Sequence, residues 1–200
     1  MKYTPLIDNL ITDLQAMPGV GKRSAQRIAF YMLDRNREAA LKLSESLRKA
    51  TEIGYCQRCF NFCEEELCDI CKSTKRREEN IICVVETPAD AYAIESTEQY
   101  FGTYFVLHGS ISPIDAIGPE ELHLDVLKKI LEEDRPKELI IATNATVEGE
   151  ATAHLIASYA EQLNIPISRP AYGIPFGSDL DNIDNRTLTK SLAGRIRYSE

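Results

Sequence analysis

Apolar positions change their rhythm along the chain. In the first 55 residues they return at helical spacing. Leu6, Ile7, Leu10, Ile11 and Leu14 share one helical face. Thr4 before Pro5 is a start signal. Pro18 predicts an end near Met17, because a residue before proline is disfavoured in the α conformation. A second helix is predicted from Lys22, with Ala25, Ile28, Ala29, Met32 and Leu33 on one face. A third is predicted from Arg37 to about Ile53, its apolar face being Ala39, Ala40, Leu43 and Leu47. Three short helices make a small bundle that needs further surface to complete its core.

Past residue 80 the rhythm differs. Ile81-Ile82-Cys83-Val84-Val85 is a continuous apolar run, as expected of a strand buried on both faces. Tyr104 to His108 and Leu139 to Thr143 predict two more strands. Helices are predicted between and after them, at Ala89 to about Ser96, Glu120 to Glu133 and Gly149 to Leu163, with a loop from Gly109 to Gly118. Strands alternating with helices predict a mainly parallel α/β sheet. Such sheets bind ligands at the carboxyl ends of their strands, where Glu86 and the run Asn144 to Glu150 fall. The tail offers a last short strand near Ile165 to Ser168, then turns, then Leu188 to Arg195. A tail with so little core docks on its own domain or swaps onto a neighbour's.

Between the two patterns lies a segment with neither. It reads Cys56-Gln57-Arg58-Cys59, eight residues, then Cys68-Asp69-Ile70-Cys71. Two such knuckles place four thiolates around a tetrahedral zinc, with Zn–S bonds of about 2.3 Å. The intervening loop carries Glu64, Glu65 and Glu66 and has no core of its own, so metal binding supplies its folding energy. Two disulfides need an oxidising compartment, and a redox motif needs one pair, not two. A catalytic zinc keeps an open position, which four cysteines do not leave. Cys63 is wrongly spaced for a knuckle, and Cys83 sits in an apolar run as a buried thiol. The three histidines, His108, His123 and His154, form no metal set and read as structural or exposed. Lys75 to Glu79 reads as a solvated charged linker.

The net charge of −8 argues at first against nucleic acid, but it is unevenly spread. Residues 1–55 carry nine Lys and Arg against six Asp and Glu; residues 81–175 carry five against fifteen. A polyanion would therefore meet the front, and the acidic middle would meet metal or a basic partner. No apolar stretch is long enough to span a membrane, and Met1-Lys2-Tyr3-Thr4-Pro5 lacks the apolar run of a signal peptide. With the thiol pattern, this points to a reducing cytoplasm. In the front, Pro18-Gly19-Val20-Gly21 allows a tight hairpin whose N–H groups face outward at a helix start, an anion site by geometry. Lys22, Arg23 and Arg27 add charge beside it. It is not a Walker A loop: Lys22 is followed by Arg23, and a helix precedes the turn.

These motifs carry resemblances. Leu14-x-x-Met17-Pro18-Gly19-Val20-Gly21 with Ala25 and Ala29 resembles the helix-hairpin-helix motif, which grips the DNA backbone without reading sequence. Glu86 after one strand, and Asn144 to Glu150 after another, resemble the Toprim fold. Its catalytic members use a Glu, an Asp-x-Asp and a Glu-Gly-Glu to hold magnesium for phosphoryl transfer. Here Glu86 and Glu148-Gly149-Glu150 match, whereas the two Asp positions are Asn144 and Thr146. The site residues are then Glu86, Asn144, Thr146, Glu148 and Glu150, a degenerate acidic site or partner contact with at most weak magnesium binding.

Taken in order, the motifs give an α+β multi-module fold. It comprises a helix-hairpin-helix DNA-binding module (1–55), a four-cysteine zinc module (56–71), a Toprim domain with a mainly parallel sheet (79–175) and a C-terminal tail (176–200). With Tyr172-Gly173-Ile174-Pro175 and Leu192-Ala193-Gly194-Arg195, this order resembles the RecR family of bacterial recombination mediators, from Tyr3 to Arg197. Ala145 departs from it, where members often have proline. The resemblance implies a structural zinc on Cys56, Cys59, Cys68 and Cys71. It implies a ring-shaped, non-catalytic clamp of four chains in recombinational DNA repair. It implies binding of single- and double-stranded DNA, and action with RecO and RecF to load RecA in place of single-strand-binding protein. Gly19, Val20, Gly21, Lys22, Arg23 and Arg27 would line the DNA path. The alternative is a metal-dependent Toprim nuclease or nicking enzyme.

Overall fold

A computed structural model describes residues 3–171 and 173–196, so Tyr172 and Arg197 of the expected likeness lie outside the described residues. The chain forms two compact units, one ending at Ile53 and one beginning at Gly54.

The first unit holds α1 (Pro5–Gln15), α2 (Lys22–Arg35) and α3 (Arg37–Ala50). Proline opens α1 after an extended Thr4. Ile11 and Leu14 of α1 pack on Ala25 and Ala29 of α2, with Ile7, Leu10, Val20 and Ile28 at the margin. The two alanines let the helices approach closely. Leu6, expected on the packed face, is exposed, because α2 is too narrow to cover the whole stripe. The side chain of Asn36 caps α3 by accepting from the Ala39 N–H at 3.1 Å. This helix stops at Ala50 rather than near Ile53 and buries none of its residues.

The second unit begins with a hairpin, β1 (Gly54–Tyr55) and β2 (Phe62–Cys63), followed by α4 (Asp69–Lys72) and α5 (Thr74–Glu79). Next come β3 (Ile81–Val85), α6 (Pro88–Glu95), β4 (Thr103–Val106), α7 (Leu124–Asp134), β5 (Glu138–Ala142), α8 (Val147–Gln162) and β6 (Ile167–Ser168). A 3-10 turn (Leu180–Asn182) and α9 (Asn185–Ala193) complete the described tail. The four-stranded sheet has the order β4-β3-β5-β6 and every pairing is parallel. Period-two alternation divides β3 between two cores. Ile82 and Val84 join the layer made by α7 and α8, and Cys83 and Val85 join the layer containing Ala91 of α6. The chain leaves β3 for β4 on one side and returns to β5 on the other. The strand order thus reverses between β3 and β5, and a crevice opens at their carboxyl ends.

Two expected boundaries shift for identifiable reasons. Helix α7 starts at Leu124, not Glu120, because His123 takes a left-handed conformation (φ 54°) and its ring stacks on Phe60 at 4.1 Å. Helix α8 starts at Val147, not Gly149, because the Thr146 hydroxyl accepts from the Gly149 N–H at 3.0 Å and caps it.

The expected solvated linker at Lys75 to Glu79 is instead α5, capped by Ser73. Arg76 faces inward, pairs with Glu95, and donates to the carbonyls of Tyr100 at 2.9 Å and Gly102 at 3.3 Å. Glu95 also accepts from the Tyr104 hydroxyl at 2.9 Å. The charge run hid this because one of its cations serves as an internal clamp on the turn into β4. Arg76→Ala strands these acceptors, so its cost should be about 2–4 kcal/mol by urea denaturation. Arg48→Ala, whose ion pairs with Glu45 and Glu52 are exposed, should leave the urea midpoint nearly unchanged.

Candidate functional site

The four cysteines converge. Cys56 follows β1, Cys59 lies in the hairpin turn, Cys68 precedes α4 and Cys71 sits within it. Their sulfurs all lie within 4.8 Å of one another, and those of Cys59 and Cys68 are 3.5 Å apart. A zinc with bonds of about 2.3 Å has sulfur–sulfur edges of about 3.8 Å, so the shell fits the ion. Cys56, Cys59 and Cys71 are buried. The Cys68 N–H donates to the Cys56 sulfur at 3.4 Å, the kind of contact that stabilises a thiolate. Hydrogen bonding between the clustered thiols raises the pKa of Cys59 through Cys68 and that of Cys71 through Cys59. It lowers that of Cys68 through Cys59. Four thiolates cannot share this space without a cation to neutralise them. All four positions of the shell are sulfur, which makes the zinc structural and leaves no place for a substrate. Cys63 stands outside the shell and accepts from the Glu65 N–H at 3.4 Å. Burial pushes the Cys83 thiol up to about 12, in keeping with a core residue.

The zinc hairpin is fastened to the sheet. The Val106 N–H on the outer strand β4 donates to the Cys59 carbonyl at 2.8 Å. His108 Nε2–H donates to the Phe60 carbonyl at 2.6 Å, the Phe60 ring meets Phe105 edge-on, and Arg58 pairs with Asp134. His108 and His123 are thus structural, and His154 is exposed.

In the crevice between β3 and β5, Glu86 is 7 % exposed. Both its oxygens are engaged by one residue. Oε1 accepts from the Asn144 N–H at 2.8 Å, and Oε2 accepts from Asn144 Nδ2 at 2.6 Å. Gly149 has to be glycine: a Cβ there would lie 2.7 Å from Glu86 Oε1 and closer still to the Asn144 carbonyl. Glu150 pairs with Arg169 at 2.7 Å and with Lys190 of α9 at 3.3 Å. Arg169 also reaches the Thr143 carbonyl and hydroxyl, each at 3.3 Å. Thr146 is occupied as the cap of α8, and Glu148 is exposed. The five acidic-site residues therefore fall at one end of the sheet, where Glu86, Asn144, Thr146 and Glu150 are engaged in internal contacts and Glu148 is not. The sequence reading missed Arg169 and Lys190. The only hint was that Arg169 follows the last strand and so had to fall at the same carboxyl ends.

The glycine segment of the first unit forms a tight turn into α2. Gly19 takes φ +79°, a left-handed value open to glycine, and the Val20 N–H closes the turn on the Met17 carbonyl at 3.1 Å. Gly21 is the extended residue before α2, and no side chain caps that helix. Its first-turn N–H groups therefore have no partner within the helix. Lys22, Arg23 and Arg27 are all exposed, form no ion pair among the described residues, and Arg23 and Arg27 are one helical turn apart.

The sulfur shell and the Glu86 contacts can each be put to a measurement. Zinc released by a thiol-blocking reagent should amount to one ion per chain. Cys68→Ser should lose it and lower the thermal midpoint by about 10 °C. Asn144→Asp should replace a donor on Glu86 by a second carboxylate. It should destabilise the protein by about 1–3 kcal/mol at pH 7.5 and by less at pH 5, where protonation relieves the repulsion. Thermal melts at the two pH values check the sign.

Known proteins match this chain along its length. The Toprim domain family matches residues 80–171, and the RecR helix-hairpin-helix family matches 7–51. The RecR zinc finger domain family, whose fingers hold the metal with four cysteines, matches 53–73, and the RecR C-terminal family matches 173–196. The recombination protein RecR of Shewanella denitrificans is 52% identical over 197 residues, covering 98% of this chain and 99% of that protein. No helix among the described residues is long and apolar enough to cross a membrane. With its helical first unit, its four-cysteine shell, its parallel sheet and its tail in this order, the chain belongs to the RecR family.

Proposed function

We propose that this protein is a non-catalytic recombination mediator that holds DNA through its helix-hairpin-helix and works in recombinational repair. In this reading it acts in the cytoplasm with RecO and RecF and loads RecA on gapped or single-stranded DNA. It does so as a ring of four chains in which the N-terminal module (1–55) and the tail (176–200) make the contacts. Gly19, Val20, Gly21, Lys22, Arg23 and Arg27 form the DNA path. Free helix N–H groups and three exposed cations contact phosphate and carry no base information, which suits a protein that has to act at any sequence.

The observation that carries the non-catalytic part is the state of Glu86. A magnesium-dependent Toprim centre needs carboxylates open to the ion. Here the first carboxylate accepts two hydrogen bonds from Asn144, and Glu150 is held by two cations. The nuclease alternative would have to break both arrangements before a metal could enter. Glu148, exposed beside them, is left to meet a basic partner.

The test is Arg23→Glu with Arg27→Glu, assayed on labelled gapped DNA with and without Mg²⁺ or Mn²⁺. Affinity should fall by at least about 100-fold, and the wild-type affinity should fall steeply with salt. Circular dichroism and zinc content should stay unchanged, and the strands should stay intact. Undiminished affinity would remove the hairpin from the DNA path. Metal-dependent cleavage that disappears in Glu148→Ala would establish the nuclease reading instead.

A further inference from the structure

The DNA hairpin and the sheet crevice leave one feature of the second unit without a use. A cleft of about 370 Å³ runs between the zinc hairpin and α6, lined by Phe62, Ile70, Pro88, Ala91, Tyr92 and Glu95. Its floor belongs to the core, since Ala91 is buried and Ile70 packs against the same layer. Its walls are wet: Phe62 is 57 % exposed and Tyr92 76 %. Two large, exposed rings lining a preformed, mostly apolar slot are the kind of surface that anchors a side chain from a partner.

The charge around the slot selects the partner. Of the cations near it in the chain, two are engaged by acids, while Lys75 and Arg77 on α5 are exposed. Arg76 pairs with Glu95, and Lys72 pairs with Glu65 at 2.6 Å. Glu64, Glu66 and Asp69 follow Phe62 or precede Ile70 in the chain. All three are exposed, and they form no ion pair among the described residues. The whole second unit is strongly acidic, with 14 Lys and Arg against 25 Asp and Glu after Ile53. A nucleic-acid strand seated here would bring its phosphates against these acids. A polypeptide with basic residues would be attracted and oriented by them.

We infer that this cleft docks a short segment of another protein, in which a large apolar or aromatic side chain is flanked by Lys or Arg. The apolar side chain fills the slot between Phe62 and Tyr92, and the flanking cations meet Glu64, Glu66 and Asp69. The cleft shares no residue with the DNA hairpin, so its failure would leave the mediator reading standing.

The test uses the full-length protein and a fluorescein-labelled hexapeptide with a central Phe-Leu flanked by two basic residues on each side. A second peptide carries glutamates in the flanks, and labelled oligo(dT) is a third probe. The basic peptide should bind saturably and more weakly as salt rises, and the acidic one should not bind. Tyr92→Ala and Phe62→Ala should each weaken the basic peptide about tenfold, with zinc content unchanged. Tyr92 is the deciding position, because its exposure means that truncation leaves the fold intact. Saturable binding that is the same in Tyr92→Ala would overturn the proposal, as would no saturable binding at all. Loss of oligo(dT) binding in Tyr92→Ala would make the cleft a base-stacking site and overturn it as well. A change of self-assembly in Tyr92→Lys, read by light scattering, would assign the cleft to a second copy of the chain and equally end the proposal.

Discussion

A carboxylate that is almost wholly buried has to be neutralised or hydrogen-bonded, and the arrangement around Glu86 decides what the sheet can do. Glu86 stands at the end of a strand with apolar residues on both faces, at the place where the strand order reverses. In a parallel sheet this is the ligand position. The chain fills it from within. Asn144 supplies backbone and side-chain donors, Gly149 gives up its side chain so that α8 can come close, and Thr146 starts that helix. Glu150 is drawn toward Arg169 and the tail lysine. Asn144 and Thr146 thus serve the fold, one on Glu86 and the other as the cap of α8. The two engaged carboxylates, Glu86 and Glu150, tie β3, the start of α8 and the tail together.

The other fixed point is made of sulfur. The zinc segment has no apolar centre except the cysteines themselves, with Leu67 beside them. It is not a free-standing knob, however. Phe60 at its turn packs between Phe105 of the sheet and His123 at the start of α7, and the Cys59 carbonyl takes a strand N–H. The metal thus organises a short loop, and the loop in turn organises one side of a domain.

Much of this was legible in the sequence, for reasons that differ from place to place. The four cysteines could be read because their spacing is dictated by the ion. Strand β3 could be read because burial on both faces leaves no polar positions. The glycine hairpin could be read because Gly19 needs a backbone angle few residues accept. What escaped had no periodic or spacing signal. Arg76 looked like one charge in a charged run, and only the fold shows that it faces Glu95. Arg169 and Lys190 meet Glu150 from far along the chain, a juxtaposition that local pattern does not encode. Leu6 matched the helical stripe, yet the width of the stripe exceeds that of the small helix which covers it. The hairpin β1–β2 is two residues deep on each side, too short for alternation to announce it.

The join between Cys59 and Val106 places a metal-held turn over the outer edge of the sheet. Parallel strands have unsatisfied N–H and C=O groups along such an edge, and bare edges recruit strands from other molecules. Cys59 gives its sulfur to the ion and its carbonyl to the strand, so both functions depend on one residue keeping its position. Oxidative damage to the thiols would therefore act at a distance from the cysteines, by uncovering a pairing surface on β4.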